Sequence, residues 1–186
     1  VLVVGRGFAD YEAHCRFGNT TELVRARLIN ASALTCVTVA QASAASVSVE
    51  VTLNGDTASH TLTSDGVQFS FYDASLVTID SLWPLGGPTG GGTRVVVRGS
   101  GFVDHGGVFC RFGTASTPSS MVPALLRSEA ELVCVSATVS AGGAVRLALT
   151  LNGDRAAFIE SNASFEYYDP KSLRVSGVLP VAGPAA

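Results

Sequence analysis

Charge is scarce in this chain, and lysine is nearly missing. Only 15% of the 186 residues are charged, the net charge is −3, and Lys171 stands alone beside eleven arginines. The arginines are spread along the chain, so no basic stripe exists to neutralise a phosphate backbone, and nucleic acid is not an expected partner. Long apolar runs are missing too. No stretch approaches the roughly 18 residues needed to cross a bilayer, so no membrane insertion is expected of this segment. There is no visible signal peptide, and strand-like sequence starts at Val1, as in a piece cut from a longer protein. Helical periodicity is also missing, with only Glu22 to Leu28 able to make a turn. Against these absences, 47% of residues are hydrophobic, enough for globular packing rather than disorder.

What is present is a repeat. Val1 to Phe8 returns as Val95 to Phe102, and Cys15-Arg16-Phe17-Gly18 returns unchanged as Cys110-Arg111-Phe112-Gly113. Leu53-Asn54-Gly55-Asp56 returns as Leu151-Asn152-Gly153-Asp154, and Phe69 to Asp73 returns as Phe165 to Asp169. The blocks keep one order at a spacing of about 95 residues, which suits a small self-contained domain rather than a solenoid unit. No catalytic set repeats with them.

The four cysteines follow the same repeat. Cys15 and Cys36 lie in the first copy, Cys110 and Cys134 at matching places in the second. Of the three connectivities four cysteines allow, the repeat selects Cys15–Cys36 with Cys110–Cys134. The other readings are buried free thiols or a zinc site, and the three histidines do not recur beside the cysteines as zinc would require. Sequons occur at Asn19, Asn30 and Asn162. Disulfides and glycosylation together favour the secretory route.

Strand alternation is clear. Val47, Val49, Val51 and Leu53 alternate with Ser48, Glu50 and Thr52, and Val145 to Leu151 repeats the pattern. A period of two with one wet face means a half-buried strand, and each of these runs into an Asn-Gly turn. Many short strands between Gly, Pro, Asn and Ser signals predict an all-β sandwich. The cysteines take inward-facing parities, so each bridge is expected in the core between sheets, contributing about 3–4 kcal/mol in the loop-entropy model.

The repeat places a first domain at 1–73, cut at its N-terminus, and a complete one at 74–169. Pro84 and Pro88 are echoed by Pro180 and Pro184, so residues 170–186 read as the start of a third copy. The short junction from Asp73 to Leu76 is expected to restrict bending between modules. Gly86-Gly87-Pro88-Thr89-Gly90-Gly91-Gly92-Thr93, then Val95 to Val97, then Gly99-Ser100-Gly101-Phe102, resembles the opening of an IPT/TIG domain. The Cys-Arg-Phe-Gly block, the second cysteine, the Leu-Asn-Gly turn and the closing aromatic strand complete the resemblance. The chain departs from the family's usual proline after the second cysteine, with Thr38-Val39 and Ser136-Ala137 there instead. The resemblance implies tandem immunoglobulin-like sandwiches, and the paired cysteines are similar to those of extracellular members such as plexins.

Candidate chemistry fails on inspection. Gly5-Arg6-Gly7 and Gly99-Ser100-Gly101 lack the third glycine of a dinucleotide loop, and Gly92 stands where a phosphate-binding loop needs lysine. No serine sits in a nucleophile elbow, and His14, His60 and His105 take unrelated positions. No catalytic, cofactor or metal residue is assigned. The recurrent pairs Asp10/Asp104, Asp56/Asp154 and Asp73/Asp169 are expected to form turns rather than a calcium site. Trp83 is expected to pack at the domain junction. The reading is a non-enzymatic structural or binding repeat of an extracellular or cell-surface glycoprotein: a spacer, adhesion or assembly module. Its expected partners are other protein chains or neighbouring domains of the same chain, with carbohydrate as a further possibility. The alternatives are an accessory domain of a secreted carbohydrate-active enzyme and a protomer segment of an extracellular filament.

Overall fold

The computed structural model describes residues 1–58, 60–113 and 121–184; the last two residues of the 170–186 segment fall outside it. The chain divides into two compact units, Val1–Asp73 and Ala74–Ala186. Both are built from strands, and the helical turns among the described residues are single 3-10 turns at Ala74–Leu76 and Pro170–Ser172.

The first unit contains β1 (Leu2–Val4), β2 (His14–Phe17), β3 (Val24–Arg25), β4 (Arg27–Asn30), β5 (Ala33–Thr35), β6 (Ala45–Thr52) and β7 (Gln68–Phe71). One layer has the order β1-β5-β4 and the other β3-β2-β6-β7. The helical turn expected at Glu22 to Leu28 is replaced by β3 and β4. Val24 pairs opposite Cys15 and Leu28 opposite Leu34, so ladder bonds to existing strands outweigh a weak local helical preference.

The second unit contains β8 (Thr78–Trp83), β9 (Gly86–Pro88), β10 (Arg94–Ser100), β11 (Phe109–Phe112), β12 (Met121–Ser128), β13 (Glu131–Val135), β14 (Gly143–Thr150) and β15 (Ile159–Tyr168). Its strands run in the order β8-β10-β13-β12-β11-β14-β15-β9. Strand β12 carries the chain between layers: Met121 to Pro123 pair with β11, and Ala124 to Ser128 pair with β13. The segment from β8 to β9 does the same at the opposite seam, antiparallel to β10 and then parallel to β15.

Each core carries one bridge, Cys15–Cys36 and Cys110–Cys134. All four cysteines are buried, as the inward parity of their strands requires. Beside each bridge sits a trio of edge-to-face aromatic rings. Phe17, Phe69 and Phe71 have centroids 4.9–6.3 Å apart, and Phe112, Phe165 and Tyr167 have centroids 5.0–6.4 Å apart. Such geometry sets the positive ring edge against the negative face. The repeated residues of the sequence are thus largely core residues.

Candidate interaction surface

The outward face of the layer β8-β10-β13-β12 follows from strand parity. Leu82, Val95, Val97, Leu132 and Cys134 point inward and are buried. Their neighbours must point outward, because successive side chains alternate across a strand. Trp83 lies opposite Val96, Val96 opposite Val133, and Leu125 opposite Val133. Four apolar side chains therefore form one row across four strands. Its ends are open: Trp83 is 71% exposed and Leu125 54%. Val135, also exposed, extends the row on β13. Arg94, Arg98 and Arg127 are exposed on the same strands, and Arg98 is paired with Glu131 at 3.4 Å.

The first unit does not repeat this row. There Leu2 lies opposite Thr35 and Thr35 opposite Arg27, so threonine and arginine stand where the second unit has Val133 and Leu125. The difference cannot come from a folding requirement shared by the two copies. Trp83 lies at the end of β8 with most of its surface open, contrary to the packed position expected from the sequence. Its parity opposite Val96 decides this, since Leu82 takes the inward place beside it. Val96, Val133 and Leu125 were not singled out from the sequence, although the alternation Leu132-Val133-Cys134-Val135 signals apolar residues on both faces of one strand.

The other candidate residues do not converge. Asn54 and Asn152 accept hydrogen bonds from the backbone N–H of Asp56 and Asp154 at 3.2 and 3.0 Å. Asp56 and Asp154 in turn accept from Ala58 and Ala156 at 3.0 and 2.9 Å. Asp104 accepts from Gly106 and Gly107 at 2.9 and 2.7 Å, and these two bonds hold its carboxyl below the ordinary aspartate range. Asp169 accepts from Lys171 at 2.9 Å and starts the turn at Pro170. Asp10 meets Arg25 at 3.8 Å. Among the described residues no group of three or more His, Cys, Asp and Glu is placed to hold a metal ion. His14 Nδ1 lies 2.6 Å from the carbonyl oxygen of Glu12. His60 lines a cavity of about 450 Å³ with Arg6, Tyr11 and Asn54, and the described residues of its walls include no Ser, Cys or carboxylate. No helix among the described residues is long and apolar enough to cross a membrane.

The sequons at Asn19, Asn30 and Asn162 are all exposed. Asn30 ends β4, where its side-chain oxygen accepts from both the N–H and the hydroxyl of Ser32 at 2.9 Å. Asn162 stands on β15 between Ser161 and Ala163.

The IPT/TIG domain family model matches residues 1–71 and again residues 77–167. The chain belongs to the IPT/TIG family. No curated protein matches it in sequence. Two solved structures of the plexin A4 extracellular region share the fold of this IPT/TIG pair at 18% identity, with TM-scores of 0.54 and 0.59. Each match covers 90% of this chain, and 16% and 14% of the plexin chains respectively. The tandem IPT/TIG units thus correspond to a small part of those much longer proteins.

Proposed function

We propose that this chain is a non-enzymatic module of an extracellular or cell-surface glycoprotein, spacing neighbouring domains and presenting one face of its second IPT/TIG unit to a protein partner. The observation that carries the reading is the row Trp83–Val96–Val133–Leu125. An apolar row with a buried centre at Val133 and open ends at Trp83 and Leu125, with threonine and arginine at two of its places in the other copy, is a mark of binding rather than folding. Trp and neighbouring Arg are the side chains that most often anchor protein interfaces, because they combine large apolar area with directed charge or hydrogen bonding. The extracellular placement is supported by the two core bridges and by the exposure of Asn19, Asn30 and Asn162, where glycans meet no steric bar. The two units and the 170–186 segment are read as successive members of one domain array.

The test uses the native protein on its cell surface, with a photo-cross-linking residue at Leu125 or, as control, at Thr35. A defined protein adduct is expected at Leu125, absent at Thr35, and abolished by Trp83→Ala without a change in the melting temperature. Equal cross-linking at both positions, or an adduct insensitive to Trp83→Ala, would overturn the reading. Mass spectrometry of the same material should find a glycan on at least one of the three asparagines.

A further inference from the structure

The outer face of the layer β11-β14-β15 carries charge where the opposite layer carries its apolar row. Cys110, Phe112, Leu147 and Leu149 are buried in the core, so alternation turns Arg111, Arg146 and Ala148 outward. Arg111 lies opposite Ala148, and Ala148 opposite Glu160. Arg146 is two residues along β14 from Ala148, and its carbonyl accepts from the N–H of Gly113 at 2.9 Å. The turn that follows Asn152-Gly153 brings Arg155 to the same place. The three arginines and Glu160 line one cavity of about 810 Å³.

Among the described residues of the walls, three guanidinium groups share one carboxylate, and that carboxylate is committed. Glu160 pairs with Arg111, whose Nε donates to the Gly113 carbonyl at 3.3 Å. Among the described residues no acid pairs with Arg146 or Arg155, and both residues are exposed. Asp154 is turned to the N–H of Ala156, and Glu166, opposite Ala144, lies outside the walls. Residues 114–120, which follow Gly113 in the chain, include no acid that could supply the missing charge. In the first unit Ser48 and Thr57 stand at the places of Arg146 and Arg155, while the Arg111 pair is kept as Arg16–Glu50. The two added arginines are therefore not required by the shared fold. Clustered like charge costs stability unless an anion relieves it.

We propose that this cavity docks an acidic protein segment, with Arg146 and Arg155 each taking a carboxylate above the largely buried Arg111. A guanidinium presents its N–H donors as a planar fork that matches a carboxylate bidentately. Arginine clusters recognise acidic motifs in this way. Ala144 and Ala156 are also in the walls, and such small side chains let a peptide main chain approach closely. No aromatic ring among the described wall residues offers a sugar a stacking surface, and Phe158 already carries Arg111. The chemistry therefore favours an acidic peptide over an acidic saccharide. The site lies on the layer opposite the row headed by Trp83 and does not depend on it.

Calorimetric titration of the 186-residue chain with an end-blocked tetraglutamate peptide tests this, beside tetraglutamine and a sulfated disaccharide of the same charge. Tetraglutamate is expected to bind and tetraglutamine not to bind. The affinity should fall as salt rises past about 0.1 M, where the screening length is about 10 Å. Giving the site the first unit's residues, Arg146→Ser with Arg155→Thr, should weaken binding about tenfold. The melting temperature should stay the same or rise, because both residues are exposed. Glu160→Gln, which releases Arg111, should instead strengthen binding about threefold, an effect that a merely structural pair would not produce. No binding of tetraglutamate, or equal binding by the double variant, would overturn the inference. So would tighter binding of the disaccharide than of the peptide.

Discussion

Arg111 forms an ion pair with Glu160 by reaching across Ala148, whereas its repeat counterpart Arg16 pairs with Glu50 on the adjacent strand. Arg16 and Glu50 face each other in register, so the first unit uses the nearest strand. In the second unit Ala148 occupies that place, and the acid comes from β15, one strand farther out. Both arrangements give the arginine a counter-charge, although Arg16 Nε is buried with no hydrogen-bond partner among the described residues, and the ring of Phe158 covers Arg111 at 4.2 Å.

The two pairs should differ in worth. Glu50 and Arg16 are both largely buried, while Glu160 is 56% exposed, so water screens the second pair more strongly. Glu50→Gln should cost about 2–3 kcal/mol, because it leaves a mostly buried guanidinium without its counter-charge. Glu160→Gln should cost about 1 kcal/mol or less. Hydrogen exchange of β2 and β11 amides in urea reads each unit separately; equal losses would contradict the distinction.

The bridges close loops of 21 and 24 residues. Reduction should lower the stability of each unit by about 3–4 kcal/mol. Non-reducing peptide mapping should recover Cys15 with Cys36 and Cys110 with Cys134 and no free thiol. A bridge between repeats would contradict the placement of both cores.

Tyr167 donates its hydroxyl to the Ala137 carbonyl at 2.9 Å inside the second core, a bond that Phe71 cannot make in the first. Tyr167→Phe should cost about 1 kcal/mol near neutral pH, since a buried carbonyl loses its donor. Burial raises the phenol above its ordinary value, against the opposing hydrogen bonds to Ser136 and Ala137. The unfolded chain therefore loses this proton first as pH rises past about 10, and the native state loses stability from there upward. The substituted protein should lack this alkaline component in a pH series of urea midpoints.

The recurrent aspartates make a different forecast. The carboxylates of Asp56, Asp104, Asp154 and Asp169 serve backbone N–H groups within their own turns. Melting curves in excess calcium and in chelator should coincide, because a ligand that does not bind the folded state cannot raise its midpoint. Asp104, held low by Gly106 and Gly107, stabilises its turn above the ordinary aspartate range and loses that contribution as pH falls through and below it. Asp104→Asn should flatten this acid limb.

Period, repeat and turn chemistry were sufficient to place the strands that carry the cysteines, the Asn-Gly turns and the closing aromatics, and with them the bridge pairing, but not β3, β4 and β12. These are local or self-consistent constraints: alternation fixes which face is wet, and two copies of one pattern must bury the same positions. The sequence also placed the turns at Asp56, Asp104, Asp154 and Asp169, whose carboxylates accept from backbone N–H groups two residues on; Asp10 instead lies against Arg25. What the sequence left open depends on neighbours distant in the chain. Trp83 is exposed because β8 pairs with β10 in a register that turns Leu82 inward. The row it heads exists only because Val96, Val133 and Leu125, on three different strands, meet across three ladders. The acid for Arg111 could not be read from spacing, because Ala148 had first to lie between them. Composition and periodicity decide what a strand buries; the tertiary pairing decides which side chains its outer face brings together.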